Sequence, residues 1–112
     1  MRKLIALLVV SAALTLASGA SASVRLVRVT SPVSAGSYAT LAVKVSKPRV
    51  SCSIAVHYKS GPSQAQGLYL QSPKAGRVSW TWKVGTRTTP GRWPITVSCG
   101  SAGTLQTSFV VS

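Results

Sequence analysis

The chain has 112 residues, thirteen Lys and Arg, one His and no Asp or Glu, which gives a formal charge of +13 at neutral pH. The missing carboxylates exclude side-chain ion pairs, paired-carboxylate hydrolysis and a Ser-His-Asp triad. They also argue against calcium sites, which are built mostly from carboxylate oxygens.

The chain opens with Met1-Arg2-Lys3, an apolar run from Leu4 to Leu16 and a small-residue stretch ending Ala20-Ser21-Ala22. This order of a basic start, a short apolar core and a small-x-small site predicts a secretory signal peptide over residues 1–22, cut before Ser23. The run is shorter than the ~20 residues a bilayer span needs. A single domain over residues 23–112 is expected, soluble and secreted or extracytoplasmic. It would keep eleven cationic side chains.

Strand-like segments then recur, rich in Val, Ile, Thr and Trp, with no helical repeat of apolar residues. They are Val24–Val29, Tyr38–Ser46, Cys52–Lys59, a short Leu68–Leu70, Arg77–Val84, Trp93–Cys99 and Thr104–Val111. Gly-, Pro- and Ser-rich connections separate them. Seven short strands at this spacing predict an all-β antiparallel sandwich.

Alternation assigns the faces, because successive strand side chains point opposite ways. Leu41, Val43 and Val45 share a face, with Lys44 opposite. Cys52, Ile54, Val56 and Tyr58 share another, against Ser53, Ala55, His57 and Lys59. Val78, Trp80, Trp82 and Val84 align, as do Trp93, Ile95, Val97 and Cys99. Leu105, Thr107, Phe109 and Val111 close the series. All three tryptophans thus fall on aliphatic sides, while the cations take the opposite sides or the loops. This favours core packing over an aromatic ligand platform. Thr89-Pro90-Gly91-Arg92 fits a type II turn reversing the chain between the two Trp-bearing strands. Pro94 lacks an N–H and is expected near a strand start or a bulge.

The two cysteines are the only ones in the chain, and an even count in an exported protein predicts a Cys52–Cys99 disulfide. It would close a loop of about 46 residues, for which chain-entropy reasoning gives about 4 kcal/mol. If the bond pairs the two cysteine-bearing strands antiparallel, facing residue numbers sum to about 151. Lys59 then faces Arg92, and the turn carrying Arg87 lies at the same end. Lys59, Arg87 and Arg92 are therefore the candidate anion-binding residues. No catalytic, cofactor or metal residue is predicted. His57 is the sole histidine and reads as a surface side chain.

The segments CSIAVHYKSGPSQAQGL and GRVSWTWKVGTRTTPGRWPITVSC resemble a small immunoglobulin-like β-sandwich domain of exported bacterial proteins, common in actinobacteria. The matching elements are Cys52, Ser60-Gly61-Pro62-Ser63, Gly67-Leu68, Trp80-x-Trp82, Thr88-Thr89-Pro90-Gly91, Trp93-Pro94 and Cys99. The resemblance implies an immunoglobulin-like sandwich of about seven strands with one disulfide, and no catalytic residue or cofactor. This chain departs from it before Gly76, where members often carry an acidic residue and here Lys74-Ala75 stands.

The function expected is that of an exported, non-enzymatic binding domain. Its basic surface would associate with anionic cell-envelope polymers or a membrane surface, and with nucleic acid only non-specifically. The alternative is a structural or protein-interaction immunoglobulin-like module with incidental charge, taking a protein partner through a sheet edge or the Ser60–Gly67 loop.

Overall fold

The computed structural model describes residues 23–112; the expected signal peptide lies outside the described residues. Among the described residues, seven antiparallel strands form two sheets. β1 (Val24–Val29), β2 (Tyr38–Val45) and β5 (Arg77–Lys83) make a three-stranded sheet in the order β1-β2-β5. The second sheet runs β4-β3-β6-β7, with β3 at Ser53–Tyr58, β4 at Gly61–Pro62, β6 at Gly91–Ser98 and β7 at Thr104–Val111. A 3-10 turn at Gly100–Ala102 leads into β7. The chain changes sheets after β2, β4 and β5, the crossing pattern of an immunoglobulin-like sandwich.

The core follows the alternation read from the sequence. Leu41, Val43, Val45, Val78, Trp80, Trp82 and Val84 are buried on one side. Val56, Ile95, Val97, Phe109 and Val111 meet them from the other. Trp82 and Phe109 pack edge to face across the two sheets, with ring centroids 5.7 Å apart. Such a contact adds to the area both rings bury. Each indole N–H also finds an acceptor, as buried donors must: Trp80 donates to the Tyr69 carbonyl at 2.9 Å and Trp82 to the Tyr58 hydroxyl at 3.2 Å. Trp93, at the end of its sheet, is half-buried and donates to the Thr89 carbonyl at 2.8 Å.

Cys52 and Cys99 are fully buried and bonded, with Cα atoms 4.0 Å apart. They flank the facing pair Ser53 and Ser98, so the bond ties neighbouring strands of one sheet. In antibody domains the corresponding bond joins the two sheets.

Two expectations need correction. Leu68–Leu70 is not a strand; the short strand is instead β4, paired with β3 through His57–Pro62 and Tyr58–Gly61. The 67–71 segment lies along the outer edge of β5 without forming a ladder. Its Tyr69 carbonyl is taken by the Trp80 indole, and the Gln71 amide donates to the Ser79 carbonyl at 2.8 Å. Gln71 bridges to Cys52, so the segment also reaches the other sheet. The second correction concerns Thr89–Arg92. The hydrogen-bonded turn between β5 and β6 is Gly85–Thr88, closed by Thr88 N–H to the Gly85 carbonyl at 3.0 Å. The Thr89 carbonyl serves the Trp93 indole, and the connection crosses between sheets and forms no hairpin.

Candidate anion-binding cleft

β3 and β5 deliver their last residues to one end of the sandwich, where Lys59-Ser60 and the Gly85–Thr88 turn face each other. A cleft of about 520 Å³ lies between them, lined by Tyr58, Lys59, Ser60, Arg87, Thr88 and Thr89 among others. A neighbouring cleft of about 600 Å³ shares Tyr58, Ser60, Gly85 and Thr88, and extends to Tyr38, Gln64, Gln66 and Lys83. Lys59, Lys83 and Arg87 are all exposed on the rim. The sequence has no Asp or Glu side chain to neutralise them.

Tyr58 is fixed at the junction of the two clefts. Its ring meets Trp93 edge to face at 6.5 Å and Phe109 at 6.1 Å. Its hydroxyl accepts the Trp82 indole N–H and keeps its own proton free to donate. Burial pushes the Tyr58 phenol above its ordinary value of 10, offset in part by that hydrogen bond. The phenol is thus neutral at physiological pH. Hydroxyls from Ser60, Thr88 and Thr89 and amides from Gln64 and Gln66 add donors and acceptors around the cationic rim. Chemically the arrangement can hold oxyanions and hydroxyl-rich groups. His57 sits in β3 opposite Pro62, with no carboxylate available to orient it.

Of the three sequence-derived candidates, Lys59 and Arg87 line one cleft. Arg92 stands apart: its guanidinium donates to the Ser108 hydroxyl of β7 at 3.0 Å. The register agrees with the expected sum, since Val56 faces Ile95 and Ser53 faces Ser98. The β3–β6 ladder ends at Val56–Ile95, beside Pro94, and β3 turns its pairing to β4. Lys59 therefore leaves the sheet before reaching Arg92. The sequence reading missed Lys83 and Tyr38, which face each other across β2 and β5. Alternation places Lys83 outward, but only the register of that ladder brings it to the cleft.

No protein-family model matches the chain, and no curated protein matches it. Among solved structures it is similar to the titin domains Z1Z2 in complex with telethonin, at 19% identity and a TM-score of 0.49. That match covers 81% of this chain and 47% of the titin chain, so this chain spans about half the titin chain's length.

Proposed function

We propose that this domain is a non-enzymatic, extracytoplasmic binding module for anionic cell-envelope polymers. The observation that carries the reading is a cleft rimmed by Lys59, Lys83 and Arg87 in a chain with no acidic side chain to compete for them. Cations without internal partners attract polyanions over the range set by ionic strength. The test is co-sedimentation of the purified protein with an insoluble teichoic-acid-type polymer at low and high salt. Binding at low salt that is released at high salt supports the reading. Absence of binding at low salt rejects it. Lys59→Gln with Arg87→Gln should weaken retention if the cleft takes part.

A second reading, a protein-interaction module, is favoured by the adjacent Tyr69 and Leu70, which are 65% and 67% exposed. Neighbouring large apolar side chains in water suit a protein contact. Under that reading, Tyr69→Ser with Leu70→Ser would abolish partner binding and leave polymer retention unchanged.

A further inference from the structure

The eleven cations of residues 23–112 are not evenly spread. On the outer face of the three-stranded sheet, Arg25 faces Lys44, and Lys44 faces Arg77. Directly opposed residues of an antiparallel pair project on the same side, so these three exposed cations form a row across all three strands. Neighbouring strands are about 4.8 Å apart, so successive members of the row are separated by about that distance at the backbone. Like charges so placed repel, and the sequence holds no Asp or Glu side chain to set between them.

A bulge adds a fourth cation. The β1–β2 register slips between Leu26 and Arg28, which leaves Val27 as the extra residue. Without the slip, strict alternation would send Arg25 and Arg28 to opposite faces. With it, Arg28 faces Ala42 on the outer side and Val29 faces Leu41 of the core. Ala42 in turn faces Ser79. These two small residues leave a depression of about 370 Å³, bounded by Val27, Arg28, Arg77 and Val78. Farther along β2 come the Thr40–Thr81 pair, with hydroxyls 2.8 Å apart, and then Tyr38 facing Lys83.

Lys83 and Tyr38 also line the end cleft. The cationic face is therefore continuous with it, over the six residue steps from Lys44 to Tyr38, or about 20 Å of strand. The opposite sheet differs: on the outward positions of β3, β6 and β7, Arg92 is the one Lys or Arg. A charge distribution set by solvation alone has no reason to gather five cations on one sheet and one on the other.

We propose that the outer face of the β1-β2-β5 sheet is a binding track for a linear polymer carrying closely spaced oxyanions. One oxyanion would sit in the depression between Arg28 and Arg77, and the chain would run along β2 toward Lys83 and the end cleft. Arginine suits this position because its planar fork pairs with phosphate or carboxylate through two hydrogen bonds. A polymer spanning the track exploits several weak contacts at once, which a single repeat unit cannot. The inference rests on the polymer-binding reading above, and extends it to a surface outside the cleft.

The test uses the purified protein and two triple variants of equal charge. The track variant is Arg28→Gln, Lys44→Gln and Arg77→Gln; the control is Lys47→Gln, Arg49→Gln and Arg92→Gln. Affinity is measured by calorimetric titration with poly(glycerol phosphate) and with polygalacturonate, which separate phosphate from carboxylate as the oxyanion. The track variant should lose at least about tenfold more affinity than the control for the preferred polymer, and chains longer than about 20 Å should outbind single repeat units. The track variant should also unfold at a temperature no lower than the control, because it relieves like-charge opposition; this separates lost binding from lost folding. Equal losses in the two triples overturn the track while leaving polymer binding intact. No wild-type binding to either polymer overturns the function reading itself. Binding to phosphatidylglycerol vesicles without binding to either soluble polymer would assign the face to a membrane and overturn the polymer.

Discussion

Gly67 has a positive φ of 98°, and a Cβ there would collide with the Thr81 carbonyl oxygen. Only glycine lets the 67–71 segment lie this close to the outer edge of β5. Gly67→Ala therefore pays for both backbone strain and a shifted edge. A loss of about 2–3 kcal/mol in urea unfolding is expected. Ala75 is the converse case. It holds φ at 53° and Gly76 at 76°, and the reciprocal Lys74–Arg77 backbone bonds close a two-residue turn with both φ values positive. Such turns prefer Asn-Gly or Asp-Gly. Ala75→Asn should stabilise the protein by about 0.5–1 kcal/mol, read from the same denaturation curve. Tyr58 makes a pH-dependent contribution. Its folded value lies above the unfolded value of 10, so the folded state holds the proton more tightly. The associated stability is fully present below pH 10 and is lost as pH rises through the folded value. The stability difference between wild type and Tyr58→Phe should be constant from pH 7 to 9 and shift against wild type above pH 10. A difference that stays flat to pH 11.5 would contradict the burial effect.

At the scale of strands, the residues most legible in the sequence were those whose alternation a buried sheet face dictates. Val78, Trp80, Trp82 and Val84 lie on one parity and are buried, with Arg77, Ser79, Thr81 and Lys83 exposed between them. Six strands were legible to within two residues at either end. The failures came where backbone bonds are replaced by side-chain ones. Leu68–Leu70 has a strand-like composition, yet its Tyr69 carbonyl is occupied by an indole from β5. Thr89-Pro90-Gly91 has turn composition, yet the Trp93 indole takes the carbonyl that a turn would use. Neither competition is visible without knowing which indole comes near. The disulfide was legible because Cys52 and Cys99 share core parity and no other cysteine competes. The bond closes a long loop between strands already paired through Ser53–Ser98. Its removal in a Cys52→Ala, Cys99→Ala variant should cost about 4 kcal/mol by the chain-entropy argument, measured as a fall in the chemical midpoint with a steeper slope, because the unfolded chain without the cross-link exposes more surface.

For the whole molecule, the sequence declares the charge but hides its distribution. Lys59 and Arg87 could be brought together on paper, because both flank strands whose pairing the cysteines imply. The Arg25-Lys44-Arg77 row could not, since it needs the registers of two ladders. Arg28 could not either, because a bulge reverses its parity. What emerges is a sandwich with one strongly cationic sheet face running to a cationic cleft, and a second sheet that carries one cation on its outward strand positions. On this account the domain holds an anionic polymer through many screened contacts, and binding releases the counterions condensed on the polymer. The most direct measurement is the affinity for poly(glycerol phosphate) over a series of salt concentrations. The account predicts a straight fall of log K with log salt, with a slope of roughly −2 to −5, as about 0.7 counterions per contact over several contacts requires for a flexible chain. An affinity that does not change with salt would contradict it.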